Sequence, residues 1–263
     1  MHGFNKLKKI ERFILNKASS IIVTALGDKE NLINKGVEES KIHIIYNGAD
    51  LNIFKPLHSK EILTVKEEYN IPDNKIVLIY FGSFNYGMND IELLGNVLSE
   101  MEKYRDRFIF LAVGDGDNKI GFLNKIKDKI DILSFSSFES EELAKLVAAS
   151  DLSLIPRKAI KHDTGGNTPV KCFESWAASV PVLLSANKES EIAKIYNDCK
   201  SGMFVYPNDL DAYKRALIHM LMDVNLKSLG LRGRKFVENN FDRKEQSLKL
   251  KYIIKQLQSD RRN

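Results

Sequence analysis

Short β-branched apolar runs alternate with amphipathic stretches along most of this chain. Eight runs predict strands: 20–24 (SIIVT), 41–46 (KIHIIY), 75–81 (KIVLIYF), 108–113 (FIFLAV), 131–135 (DILSF), 151–156 (DLSLIP), 180–185 (VPVLLS) and 202–207 (GMFVYP). Most are continuous rather than alternating, the pattern of strands covered on both faces. Between them, Ile91, Leu94, Val97, Leu98 and Met101 recur near helical spacing. Ser140 is the expected N-cap of a helix over 140–149. Beyond residue 207 the pattern is helical throughout, with helices expected in 208–223, 226–240 and 242–257. Strands alternating with helices predict an α/β fold, a Rossmann-like parallel sheet with helices on both faces.

Residues 47–62 hold a proline and no regular period, which reads as a linker. The expected division is a short unit over 1–50, a linker over 51–70, a large unit over 71–240 with six strands, and a closing helix over 241–263. Two parallel strands and two helices cannot bury both faces of a sheet. The short unit is therefore expected to join the larger sheet, or to be completed by another chain or region.

Composition narrows the class. Of 263 residues, 43% are apolar and 29% charged, as in globular proteins. No apolar run reaches the roughly 20 residues of a membrane-spanning helix. The start, HGFNKLKKIERFILNK, lacks a signal peptide's apolar core and cleavage site. Cys172 and Cys199 form neither a disulfide framework nor a metal-ligand spacing. A cytoplasmic location is the expectation. The net charge of +5 gathers at the two ends. No zinc-finger, RRM or helix-turn-helix signature accompanies it, so nucleic acid is not an expected partner. The N-terminal stretch sets Phe4, Leu7, Ile10, Phe13 and Ile14 against Lys6, Lys8, Lys9 and Arg12. That face suits either the anionic inner surface of a membrane or a protein core.

Chemistry in an open parallel sheet belongs beyond the carboxyl ends of the strands. FGSFNYGMND, 81–90, brings Gly82, Ser83 and Gly87 to one such end, as a ligand loop or an ordinary turn. It has neither P-loop nor G-x-G-x-x-G spacing. VGDGDNK, 113–119, is a turn signal. Ser137 and Phe138 follow a third strand and suit a nucleobase pocket or a packed loop. The segment 157–176 is long for a strand-to-helix connection. It carries Arg157, Lys158, Lys161, His162 and Asp163, then Gly165, Gly166, Asn167, Thr168 and Pro169. Thr168 or Asn167 is the expected N-cap, with Pro169 opening the helix. An anion there would meet free N–H groups, the positive helix end and Lys171. Glu174, three residues on, shares the face of Lys171 and would accept hydrogen bonds from sugar hydroxyls. The alternative is a Lys–Glu pair on an ordinary helix surface.

IIVTALGDKENLINKGVEESKIHIIYNGADLNIFKP resembles the segment that closes the N-terminal domain of the "group 1" retaining glycosyltransferases of two-Rossmann (GT-B) architecture. IVLIYFGSF, FIFLAVGDGDN, FESEELAKLVAASDLSLIP, TPVKCFESWAASVPVLLS and GMFVYPNDLDAYKRAL follow in the family's order. The resemblance implies transfer of a sugar from a nucleotide diphosphate donor with retention, without a cofactor or bound metal. It makes 1–50 the remnant of an acceptor-side domain, 71–240 the donor domain and 241–263 a crossover helix. By resemblance, Lys171, Gly165, Gly166, Thr168, Gly82 and Ser83 hold the diphosphate and Glu174 the ribose. Ser137 and Phe138 lie at the base, and Asp163 and Asn167 at the donor sugar. No residue is assigned as catalytic. The sequence departs from the family in three ways. Gly166 stands where the first glutamate of E-x7-E is expected. The glycine loop lacks the usual Arg and Lys. Most of the N-terminal domain is absent from this sequence, which implies a separately encoded acceptor-binding half, or a binding module without transfer of its own. The implied partners are a nucleotide sugar, that half, and peripherally an anionic membrane in polysaccharide or glycan synthesis.

Overall fold

The computed structural model describes residues 2–85, 87–159 and 168–260. The eight expected strands are present, each trimmed by at most two residues at an end. They are β1 (Ile21–Val23), β2 (Ile42–Ile44), β3 (Ile76–Phe81), β4 (Phe108–Val113), β5 (Ile132–Phe135), β6 (Leu152–Ile155), β7 (Val182–Ser185) and β8 (Gly202–Val205). The helices are α1 (His2–Lys17), α2 (Leu26–Asn34), α3 (Ser59–Glu68), α4 (Ile91–Ser99), α5 (Lys119–Ile126), α6 (Ser140–Ala148), α7 (Val170–Ala177), α8 (Glu191–Cys199), α9 (Leu210–Met222), α10 (Leu226–Asn240) and α11 (Arg243–Asp260).

β3 to β8 form one parallel sheet in the order β5-β4-β3-β6-β7-β8. The central strands are buried along their length because both faces are covered. One face packs Val77, Ile79, Leu111 and Leu184 against α6 and α7 residues, including Trp176 and Phe173. The other packs Leu78, Tyr80, Phe110 and Leu183 against α4, α5 and α9. This alternation of neighbours along one strand follows from the two-residue side-chain period. Trp176 is fully buried, and its indole N–H donates to the Ser201 carbonyl at 3.0 Å.

The strand order reverses between β3 and β6. The chain leaves β3 toward β4 on one side and leaves β6 toward β7 on the other. The two crossovers run to opposite sides of the sheet, which makes the carboxyl ends of β3 and β6 the switch-point crevice where ligands usually lie in such sheets.

β1 and β2 form a separate two-stranded parallel sheet and do not join the larger one. The stretch that follows them differs from an irregular linker. α3 occupies 59–68, with the Glu61 carboxylate accepting the His58 N–H at 2.8 Å. Ahead of it, Ala49 and Phe54 are buried in the core, where the lone apolar residues of an aperiodic segment are anchored. Gly48 permits a close approach: a side chain there would stand 2.2 Å from the Phe241 carbonyl. The contact is locked by a parallel bridge between Ala49 and Asp242 and by Arg243 donating to the Gly48 carbonyl at 2.8 Å.

Two expected caps shift: that of α6 by one position, and that of α7 by one from Thr168 or two from Asn167. Ser140 is the first helical residue of α6, and Glu139 precedes it at the N-cap. α7 likewise starts at Val170 with Pro169 at the N-cap and no side-chain cap. Proline's fixed φ suits either position at a helix start.

Candidate functional site at the switch-point crevice

Three segments converge on the crevice. After β3 the chain turns at Gly82, whose φ of +126° a residue with a Cβ adopts only under strain. The Tyr80 hydroxyl donates to the Ser83 carbonyl at 2.6 Å and fixes the turn from below. Ser83 itself is exposed, and its Oγ accepts the Asn85 N–H at 3.2 Å. After β6, Asn89 and Arg157 form an antiparallel bridge, flanked by Asp90 N–H to Pro156 O and Lys158 N–H to Met88 O, each 3.0 Å. The loops after β3 and β6 are thereby stitched together.

The third segment is the start of α7. Lys171 is half-buried and its ammonium lies over the Tyr80 ring, 4.6 Å from the centroid. Nζ is 3.5 Å from Asn89 Oδ1 and packs directly against Gly82. Burial, then the Arg157 guanidinium, pulls its pKa down to about 8. Glu174, one turn further and also half-buried, has its carboxyl pushed up by burial, with Arg243 and then Lys171 acting in opposition. The pair is therefore not a solvated surface pair: both groups are held partly out of water, where each disfavours its charged form.

Thr168 is buried, and its Oγ1 has no hydrogen-bond partner among the described residues. Gly165, Gly166, Asn167 and Asp163 lie outside the described residues.

Ser137 and Phe138 follow β5, the edge strand separated from β3 by β4. Asp115 Oδ2 accepts from Ser137 N–H at 2.8 Å and from its hydroxyl at 2.7 Å, bonds that hold the Asp115 carboxyl below its usual range. Phe138 is half-buried in an aromatic cluster, 5.9 Å from Tyr69 and 5.8 Å from Phe135 between ring centroids. Its ring is committed largely to packing beside the loop.

Four residues were not singled out from the sequence. Asn89 and Tyr80 position Lys171, Arg243 faces Glu174 from α11, and Glu191 joins the two sheets. Glu191 is buried at the start of α8; its Oε1 accepts from Leu26 N–H at 3.4 Å and Tyr46 Oη at 3.2 Å. Burial first, then Glu191, raises the Asp28 carboxyl pKa. Only Glu191, a charged residue between an N-cap serine and an apolar helical face, carried a local signal; the others depend on long-range pairing. Among the described residues no three His, Cys, Asp or Glu side chains gather as a metal-ligating group, and no helix is long and apolar enough to cross a membrane. A groove of about 950 Å³ lies away from the crevice, lined by Leu7, Ile10, Ile14, Lys35 and Val37 among others.

The sheet order and its crossovers define a Rossmann-like module, with Lys171 of α7 at its switch point. Residues 75–223 match the family described as glycosyl transferases group 1, and the chain belongs to that family. An uncharacterized glycosyltransferase of Methanocaldococcus jannaschii is 21% identical over 257 residues, covering 95% of this chain and 62% of the relative. The probable glycosyltransferase WbjE of Pseudomonas aeruginosa is 26% identical over 250 residues, covering 91% and 58%. Among solved structures, sucrose-phosphate synthase of Thermosynechococcus elongatus superposes with a TM-score of 0.74 at 20% identity, over 96% of this chain and 61% of that one. HepE of Anabaena, in complex with UDP-glucose, gives 0.73 at 16% identity, over 93% and 67%. The chain thus spans about three fifths of the curated relatives named here.

Proposed function

We propose that this chain binds a nucleoside-diphosphate sugar in the switch-point crevice and contributes the donor half of a retaining glycosyltransferase. The observation that carries the reading is the placement of Lys171 and Glu174 on one face of α7, with the ammonium against Gly82. In this reading Lys171, Thr168, Gly165, Gly166 and the Gly82–Ser83 turn receive the diphosphate. A charge-assisted bond from a partly desolvated ammonium is stronger than one in water. The Glu174 carboxylate accepts from the ribose hydroxyls, and Asp163 and Asn167 face the sugar. Ser137 and Phe138 flank the base. Stabilising the departing diphosphate is the main catalytic contribution, through fixed N–H groups and the cation. The HepE complex supports a UDP-sugar as the first donor to test.

The proposed divisions are an acceptor-side remnant over 1–50, a connection over 51–70, the donor domain over 71–240 and a crossover helix over 241–263. The acceptor is bound on the side of the β1–β2 sheet. The proposed setting is polysaccharide or glycan synthesis in the cytoplasm, at the inner face of a membrane. A second reading is favoured by Gly166, which leaves no carboxylate where E-x7-E has its first glutamate. In that reading the chain binds a nucleotide sugar without transferring it.

Calorimetric titration with UDP-, GDP- and ADP-sugars tests donor binding, and binding of none contradicts both readings. Anomer-resolved NMR of the product formed with candidate acceptors separates them. Transfer with the donor's configuration supports the enzyme, and donor binding without turnover supports the module.

A further inference from the structure

α1 carries an apolar stripe that the described part of the chain leaves in water. Leu7, Ile10, Phe13 and Ile14 are 45–65% exposed. Leu15, on another flank, is half-buried, and the Glu11 carboxylate holds Lys35, the C-cap of α2, at 2.6 Å. Helical spacing puts Lys6 one turn before Ile10 and Lys17 one turn after Phe13, so a lysine borders the stripe near each end. Lys9 and Arg12 lie on the polar side, and all four of these cations are exposed. Glu11 is the one acid in the helix, and Lys35 already engages it. An exposed apolar stripe marks a contact surface. Its cations decide which kind. The centre of a protein interface is depleted of charge, and an ammonium buried there without a partner is costly. At a bilayer surface the lysine stems lie along apolar surface while the ammoniums reach the headgroups. With 16 residues, about 24 Å, and charges along its length, α1 can lie in the interface but not cross it.

We propose that α1 is a membrane-docking helix, with Leu7, Ile10, Phe13 and Ile14 set into the headgroup–acyl boundary of an anionic bilayer and its lysines and Arg12 against the lipid charges. The cations and the anionic surface are complementary, and salt screens their attraction. The inference rests on the membrane setting proposed above and gives it a contact element. It is independent of the nucleotide-sugar site, because Lys171 and Glu174 stand on α7. Only residues 18–20 separate α1 from β1. Docking therefore brings the β1–β2 side of the chain, where the acceptor is proposed to bind, to the lipid surface.

The experiment is flotation of the full chain, without nucleotide, on vesicles of phosphatidylcholine alone or mixed with phosphatidylglycerol, at low and high salt. Wild type is compared with Phe13→Ser/Ile14→Ser and with Lys9→Gln/Arg12→Gln. Lys127→Gln/Lys227→Gln, which removes two exposed cations elsewhere, is the control. Wild type is expected to float with the mixed vesicles, less at high salt, and far less with phosphatidylcholine alone. Each α1 double variant is expected to bind about tenfold more weakly, and the control to match wild type. Hydrogen exchange in α1 is expected to slow on the mixed vesicles while that in α10 stays unchanged. No flotation, equal flotation with both vesicles, a control as weak as the α1 variants, or unchanged exchange in α1 overturns the assignment. Self-association of wild type that Phe13→Ser/Ile14→Ser abolishes, without vesicle binding, gives the stripe to a second copy instead. If flotation fails while a nucleotide sugar still binds, only the docking helix falls. If flotation succeeds and no nucleotide sugar binds, only the donor reading falls.

Discussion

The Lys171 ammonium occupies the space that a side chain on Gly82 would need: a Cβ built there stands 2.5 Å from Nζ. Gly82→Ala is thus predicted to act twice. The φ of +126° becomes strained, lowering stability by about 1–3 kcal/mol in a denaturant titration. The displaced ammonium also weakens nucleoside-diphosphate binding. A variant of unchanged stability and affinity would show that the close packing is unimportant.

Lys171 gives binding and stability opposite responses to pH. Its folded pKa, about 8, lies below its ordinary value of 10.5, so the fold disfavours the charged form. The resulting destabilisation is fully present below about pH 8 and is relieved as pH rises toward 10.5. Diphosphate binding needs the ammonium, so affinity is predicted to hold below pH 8 and decline above it. Titrations of wild type and Lys171→Met from pH 6.5 to about 9.5 check this, the variant lacking the decline.

Glu174→Gln separates folding from ligand binding. Burial raises the Glu174 carboxyl pKa in the fold, so its charge is a net burden there. Removing that charge is predicted to leave the thermal midpoint unchanged or higher. Donor affinity is expected to fall by about 1–3 kcal/mol, since sugar hydroxyls lose a charged acceptor. A parallel drop in both quantities would mark Glu174 as a structural residue.

Asp115→Asn tests how the 136–138 loop is held. The carboxylate accepts two bonds from Ser137, and its lowered pKa means that this support exists above the ordinary carboxylate range and is lost as pH falls through the lowered value. Faster hydrogen exchange at the Ser137 amide is expected in the variant at neutral pH. Unchanged exchange would show that the loop is held by Phe138 packing alone.

Glu191→Ala is predicted to loosen the contact between the two sheets. It removes the acceptor for Leu26 N–H and the Tyr46 hydroxyl, at about 1–3 kcal/mol of local stability. Hydrogen exchange at the start of α2 should accelerate while β3 and β4 remain protected. Uniform acceleration would instead indicate global destabilisation.

The strands were legible because their apolar runs are continuous, and β4 matches its expected span of 108–113. Lys171 and Glu174 were legible because helical spacing alone puts i and i+3 on one face. Segment 47–62 was harder: its core contacts are single residues such as Ala49 and Phe54, which leave no period. The cap positions at Ser140 and Thr168 differed by one residue because a polar residue beside a helix start fits either place. Asn89 could not be read as a partner of Lys171, since their meeting depends on the β3–β6 adjacency and the bridge to Arg157.

The most direct test of the central claim is one calorimetric comparison. The best-binding nucleotide sugar is titrated into wild type, Lys171→Ala and Glu174→Ala at pH 7. Binding by wild type is predicted, with both variants weaker and Glu174→Ala losing about 1–3 kcal/mol. Wild-type binding untouched by both substitutions would put the ligand elsewhere, and the absence of binding to any UDP-, GDP- or ADP-sugar would contradict the account.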